Sequence, residues 1–206
     1  MITDSKDHFN TIAKDWDKDK IHQERSMAIA AALQQMIPLQ NNWKALEYGA
    51  GTGLLSFILK DAFKAIVLMD NSAEMLKVCE EKIAYYQTPH IRTVALDLEN
   101  GTYNEKFDII YTQMVLHHIM DVPAIFQTFH ELLNTDGYLA IADLYSEDGS
   151  FHEPGMQVHK GFNPDELGQQ LNNLGFNQVQ HQTCFTIERN NGKKYPVFLL
   201  TAQKNQ

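Results

Sequence analysis

Nowhere in this 206-residue chain does an apolar run approach the ~20 residues that a bilayer-spanning helix requires, so stable membrane insertion is not expected. Basic clusters are also missing. Lysine and arginine number 17 against 26 acidic residues, giving a formal net charge of −9. That balance argues against non-specific binding to nucleic acid or to an anionic membrane. Cysteine is scarce. Cys79 and Cys184 lie far apart without metal-ligand spacing and read as reduced thiols of a cytoplasmic protein. The first residues, MITDSKDHFN, are polar and acidic and lack signal-peptide character. There is no internal repeat and no low-complexity linker. What remains is ordinary globular composition, 44% apolar and 21% charged, in a length that suits one domain with a sizeable core.

Hydrophobic periodicity then divides the chain into alternating elements. Ile21, Arg25, Ala28, Ile29, Ala32, Leu33, Met36 and Ile37 share one helical face that ends at Pro38. Strands are expected at 45–48, 65–70, 91–98, 107–114 and 138–144, with helices at 54–59, from about 72 to 83, and at 122–132. Asn71 and Glu74 have capping-box spacing for the second of these helices. Asn163-Pro164 opens a further helix that Gly175 stops. Two final β stretches, 178–188 and 194–203, are joined by Asn190-Asn191-Gly192 as a hairpin. This alternation implies an α/β domain with a mostly parallel sheet covered on both faces, which binds ligands beyond the carboxyl ends of its strands. A single domain is expected over 1–206: an N-terminal cap (1–40), a cofactor-binding core (41–144), and a substrate-side loop, helix and hairpin (145–206).

The segment LEYGAGTG (46–53) turns sharply with almost no side-chain bulk. It is not a P-loop, because no G-x-x-x-x-G-K-[ST] is present. It is not a dinucleotide fingerprint either, since Leu54 stands where the third glycine belongs. Glu47, Asp70 and Asp97 end or adjoin strands on the same rim, and three carboxylates would repel a pyrophosphate. They suit a ligand with hydroxyls, an exocyclic amine and a positive centre.

In these segments the chain resembles the class I S-adenosylmethionine-dependent methyltransferases, in particular the small-molecule branch that includes the ubiquinone and menaquinone biosynthesis enzymes. ALEYGAGTG, LMDNSAEML, ALDLEN, FDIIYTQMVLHHI and LLNTDGYLAIAD match that family's motifs in order, within a likeness spanning about 8–203. The resemblance implies a Rossmann-like, doubly wound, seven-stranded sheet with a C-terminal antiparallel hairpin and an N-terminal helical cap. It implies S-adenosyl-L-methionine as cofactor, S-adenosyl-L-homocysteine as product and a small-molecule acceptor rather than nucleic acid. Gly49, Ala50, Gly51 and Gly53 would pass under the methionine and ribose, and Glu47 would help set the network around the ammonium. Asp70 would accept from the ribose hydroxyls, and Asn71 and Met75 would border the adenine. Asp97 would accept from the adenine amine, the Leu98 N–H would reach a ring nitrogen, and Gln113 would bring its carbonyl near the ammonium. Phe9, Trp16 and the 8–22 stretch would close the site from above. Tyr48 replaces the family's usual aliphatic residue, and its buried hydroxyl should need a partner.

Blander readings compete for several of these residues. Asp70 could simply cap a helix and Asp97 a turn. Adjacent His117 and His118 should point apart, and no Cys, Asp or Glu accompanies them at useful spacing, so no metal site is expected. The irregular stretch 145–162 leaves the fifth strand on the functional rim, with His152, Glu153, His159 and Phe162 as candidate substrate contacts. Should the acceptor need deprotonation, His117, His159 or Asp143 could serve. A nucleotide-binding oxidoreductase and a non-catalytic cofactor-binding module remain as alternatives from other classes. The acidic balance and the lack of an Asn/Asp-Pro-Pro-Tyr/Phe motif disfavour a nucleic-acid methyltransferase.

Overall fold

A computed structural model describes residues 5–152 and 156–205. In chain order the elements are α1 (Ser5–Ile12), a 3-10 turn (Ala13–Lys18), α2 (Lys20–Met36), β1 (Lys44–Tyr48), α3 (Leu54–Ile58) and β2 (Ala65–Asp70). There follow α4 (Ala73–Tyr86), β3 (Ile91–Ala95), β4 (Phe107–Gln113), a 3-10 turn (Leu116–His118), α5 (Val122–Leu132) and β5 (Leu133–Leu144). The chain ends with α6 (Pro164–Asn173), β6 (Phe176–Glu188) and β7 (Lys194–Lys204). Among the described residues no helix is long and apolar enough to cross a membrane.

The seven strands form one sheet in the order β3-β2-β1-β4-β5-β7-β6. The first five are parallel; β7 pairs antiparallel with both β5 and β6. From β1 the chain winds outward through β2 and β3, then returns to lay β4 on the other side of β1. That reversal places the topological switch point between β1 and β4, where open α/β sheets bind ligands.

The central strands are apolar at nearly every position because both faces are covered. Ala45, Ile66 and Ile109 enter one core with Ile29 and Leu33 of α2. Their neighbours Leu46, Val67 and Ile110 enter the other, with Phe126 and Phe129 of α5 and Leu171 of α6. Successive side chains on a strand point to opposite faces, so a two-sided sheet demands unbroken apolar runs.

Several boundaries differ from the sequence reading. β3 ends at Ala95, which leaves Asp97 in the turn beyond it. β5 begins at Leu133, already paired with Phe107, and resumes at Tyr138 after an irregularity. The cap of α4 is Ser72 rather than Asn71: its hydroxyl accepts the Met75 N–H at 3.2 Å. The same Ser72 hydroxyl donates to Asn10 Oδ1 at 2.7 Å. Ser72→Ala should therefore cost about 1 kcal/mol in denaturant unfolding, whereas Asn71→Ala should change stability by no more than about 0.5 kcal/mol. Equal effects would show that the cap is misassigned.

Candidate active site

A cavity of about 560 Å³ opens over the β1/β4 switch point. Its floor is the turn after β1. Gly49 and Gly51 both have left-handed φ, +66° and +54°. At Gly49 a Cβ would stand 2.3 Å from Val115 Cγ2, so the turns leaving β1 and β4 touch only because glycine is there. At Gly51 a Cβ would find only Met75 Sδ, at 3.9 Å. Space has been left above this residue, and it belongs to the cavity.

Carboxylates line one end. Asp70 Oδ2 accepts the Gly51 N–H at 2.7 Å and Oδ1 accepts the Ser72 N–H at 2.8 Å. Burial raises the Asp70 carboxyl above its ordinary range, against those backbone donors. Asp97 accepts from the Glu99 N–H, from Asn100 Nδ2 and from the Tyr48 hydroxyl, the last at 3.2 Å. Tyr48 thus has the partner its burial requires. Each carboxylate oxygen keeps acceptor capacity for a ligand hydroxyl or amine. Asn71 and Met75 complete this end.

Glu47 lies behind the floor rather than in the cavity lining. One oxygen accepts the Ser56 hydroxyl, which also pairs with the Tyr111 hydroxyl at 2.6 Å. The other, Oε1, is buried without a partner among the described residues. Burial pushes this carboxyl up to about 8, with the Ser56 hydrogen bonds opposing the shift.

Imidazoles and guanidiniums gather at the other end. His117 Nδ1 lies 2.8 Å from Asp143 Oδ1. Asp143 is wholly buried and also accepts the backbone N–H of Leu144 and of His117. Burial alone would raise this carboxyl. The charge and hydrogen bond of His117, with the two backbone donors, outweigh it and hold Asp143 below its ordinary range. A carboxylate on Nδ1 fixes the neutral tautomer with its lone pair on Nε2. His118 and His152 pack around His117, with ring centroids 4.2 and 4.9 Å away. The sequence expectation that the neighbouring histidines diverge is overturned, because the 3-10 turn and the 145–162 loop bring all three together. Their ring nitrogens lie within 4.8 Å of one another, close enough to share a cation. Burial holds His152 down at about 4, and the His117 and Arg189 charges add to the effect.

Overhead, the N-terminal segment forms a roof. Phe9 and Trp16 meet edge to face at 5.8 Å, and Trp16 stacks on His22 at 3.8 Å. Asp17 anchors the roof to Lys82 at 2.6 Å and to the Thr52 hydroxyl. Beneath it, Ser26 of α2 donates to Gln113 Oε1 at 3.1 Å.

Of the residues singled out in the sequence, the cavity brings together Gly49, Ala50, Gly51, Asp70, Asn71, Met75, Asp97, Gln113, His117, Phe9, Trp16 and His152. Tyr48 and His118 line it as well, while Glu47, Gly53, Leu98, Asp143, His159 and Phe162 are not part of the lining. Gly53 faces Leu68 and Phe57. Leu98 is buried in the second core. Asp143 is wholly buried and meets His117 Nδ1. His159, an expected wall residue and candidate base, stands outside: its Nε2 meets the Ile119 carbonyl and its N–H bonds to the His117 carbonyl, bracing the histidine turn from behind. Phe162 likewise packs on the second core and pairs with Tyr145. Glu153 lies outside the described residues. His22, from the 8–22 stretch expected to close the site, lines the cavity; the sequence reading missed Arg25 and Arg189 as cavity residues. For Arg25 a signal existed, an arginine in the middle of an apolar helical stripe.

Comparisons with known proteins bear on the family and the fold. A family model described as a methyltransferase domain matches residues 21–181. An uncharacterised methyltransferase of Schizosaccharomyces pombe is 31% identical over 151 residues, covering 63% of this chain and 53% of the yeast protein. Trans-aconitate 2-methyltransferase of Deinococcus radiodurans is 30% identical over 141 residues, covering 66% of this chain and 52% of that protein. The chain spans about half the length of these relatives. In structure, Haemonchus contortus phosphoethanolamine N-methyltransferase 2 with bound S-adenosyl-L-methionine superposes with a TM-score of 0.71 at 15% identity, covering 86% of this chain and 52% of that one. The likeness concerns the fold.

Glu47 generates a pH prediction. Its folded value exceeds its unfolded one, so its contribution to stability is complete below pH 4.5 and is lost as pH rises through about 8. Glu47→Gln has no charge to bury and should flatten that fall, as read by denaturation midpoints across the range. Parallel curves for the two proteins would mean that Glu47 is hydrated.

Proposed function

The chain belongs to the methyltransferase-domain family, and on that footing we propose that it moves a methyl group from S-adenosyl-L-methionine to a small-molecule acceptor by direct displacement. The observation that carries this reading is the open space above Gly51, flanked by Asp70 and Asp97 at the sheet's switch point. That space admits an adenosyl group, and the unpartnered Glu47 Oε1 below marks a polar network not completed by the protein alone. When bound, the cofactor supplies an electrophilic methyl on a sulfonium.

The protein's part is alignment and exclusion of water. In this reading the 41–144 core holds the cofactor, the 1–40 cap covers it, and 145–206 contributes to the acceptor side. The turn through Gly49, Ala50 and Gly51 supports the methionine and ribose. Asp70 accepts from the ribose hydroxyls while its bond to Gly51 keeps the turn in register. Asp97 accepts from the adenine amine, the Leu98 N–H serves a ring nitrogen, and Asn71 and Met75 flank the base. Gln113, fixed by Ser26, and Glu47 beneath it set the polarity around the ammonium. His117 takes a proton on Nε2 where the acceptor has one to lose, and Asp143 stabilises the resulting imidazolium. The acidic net charge and the roofed cavity support a small acceptor over nucleic acid. The free thiols of Cys79 and Cys184 fit a reducing, cytoplasmic setting.

No metal enters this mechanism. The guanidiniums of Arg25 and Arg189, which have no ion pair among the described residues, line the same cavity as the three imidazoles and would repel a dication there.

Calorimetry with S-adenosyl-L-homocysteine tests the cofactor site. Asp70→Ala removes two charge-assisted bonds worth roughly 1.5–3 kcal/mol each, so affinity should fall at least about tenfold, and Asp70→Asn should do less damage. Gly51→Val should abolish binding, since it both fills the space and strains a left-handed residue. Normal affinity in folded Gly51→Val protein would remove the turn from the site.

Catalysis is tested separately, in the presence of EDTA. His117→Ala should leave cofactor affinity within a few-fold while lowering turnover of an acceptor found by screening with labelled methyl donor. The fall should reach about 10²–10⁴-fold if His117 is the general base. Activity that disappears in EDTA would assign the histidines to a metal instead.

A further inference from the structure

Arg25 is only 6% exposed, yet its guanidinium has neither an ion pair nor a hydrogen bond among the described residues, and its Nε is buried without a partner. Burying a guanidinium this way is unfavourable unless an anion meets it. The neighbouring carboxylates are committed elsewhere. Asp143 holds His117, and Asp19 caps α2 through the Ile21 N–H. Burial pulls Arg25 down only to about 10, so it stays cationic at neutral pH.

A second cation lines the same cavity. Arg189 follows β6, and its guanidinium carbon lies 4.3 Å from the centre of the Phe151 ring. Phe151 is itself packed edge-on against Tyr195 at 5.1 Å. An arginine laid on a fixed aromatic face is pre-organised, with its N–H edge free to meet a planar oxyanion. Arg189 also makes no ion pair among the described residues. Arg189 lies close enough for its charge to weigh on Arg25, and both charges weigh on His22. The opposite end of the cavity is acidic, with Asp70, Asp97 and Glu99. The site is therefore polar throughout; the Asp143 and Asp19 charges offset part of the Arg25 charge, but neither carboxylate pairs with it.

We propose that the methyl acceptor is an anion, carrying a carboxylate or phosphate group that docks between Arg189 and Arg25. This rests on the cofactor reading above and adds the acceptor's chemical class. The cofactor carries one carboxylate of its own, whose two oxygens could meet either guanidinium or bridge both, so anion binding is tested with that carboxylate already in place. His117 and His152 lie beside the docking point, so an acceptor anchored by its charge presents its nucleophile to the His117 imidazole. Bidentate N–H···O pairs to the fork of Arg189 would also fix its orientation.

The test is calorimetry on protein loaded with S-adenosyl-L-homocysteine, titrated with malonate, with inorganic phosphate and with choline as the opposite charge. Malonate or phosphate should bind and choline should not; which anion binds more tightly separates a carboxylate from a phosphate acceptor. Arg189→Gln, a change at an exposed position that should not affect folding, should weaken anion binding at least about tenfold, and Arg189→Lys should recover part of it. Arg25→Met should weaken it as well, while binding of methylthioadenosine, which lacks the amino-acid carboxylate, stays normal. The loading step keeps the two readings apart: if S-adenosyl-L-homocysteine fails to bind wild type, the cofactor assignment falls. If it binds and neither anion does, the anionic acceptor is overturned. It is also overturned if anion binding survives in Arg189→Gln and Arg25→Met weakens only S-adenosyl-L-homocysteine, since the cofactor's own carboxylate would then be the anion Arg25 awaits.

Discussion

The site depends on a contact that no side chain may interrupt. Gly49 lies so close to Val115 that the turns after β1 and β4 meet directly. That contact closes the bottom of the switch-point crevice, and everything above is placed relative to it. Gly51, two residues on, is tied to β2 by the Asp70 carboxylate. Val115 leads into the 3-10 turn that carries His117 and His118. A shift of either turn would move the carboxylate end and the histidine end together. Two glycines with left-handed φ are costly in chain entropy, and the cost is concentrated where the sheet reverses its winding.

Around that contact, charge is sorted by origin in the chain. The acidic end comes from the first half of the sheet, through β2 and the turn after β3. The basic and imidazole end comes from α2, the turn after β4, the 145–162 loop and the end of β6. Buried polar groups on the two sides are treated differently. Asp143 is fully satisfied by His117 and two backbone N–H groups. Arg25 Nε and Glu47 Oε1 are not satisfied, and both lie next to the cavity or directly beneath its floor. His152 Nε2, also in the lining, is likewise without a partner among the described residues; native interiors rarely leave such atoms unpaired, and these three gather at one cavity.

The sequence made the sheet legible because a strand covered on both faces must be continuously apolar, as AIVLMD (65–70) is. It made the glycine turn and the carboxylates beside it legible because glycine spacing and strand-end carboxylates are local signals. The basic end was harder to read. Arg25, Arg189 and His152 come from three distant parts of the chain, and only tertiary packing brings them together. Local propensity also misjudged the turns. Asn71 and Ser72 are both good cap residues, and backbone geometry alone chose Ser72. His159 sits on the functional rim in the sequence, yet its hydrogen bonds turn it to the back of the histidine turn. The expected divergence of His117 and His118 assumed regular helical geometry, and a single 3-10 turn departs from it.

The position of β7 governs when this sheet can be completed. It lies between β5 and β6 although it is the last strand made, so β5 has no neighbour on that side until residues 194–204 arrive. During synthesis the parallel half can pair in order as it emerges, while β5 keeps an open edge and β6 has no strand to join. Such non-local pairing is slow relative to local contacts. An unpaired apolar edge such as Leu139–Leu144 is also a template for association with other chains. The interval between release of β5 and capture of β7 is therefore when the nascent chain is most exposed to aggregation.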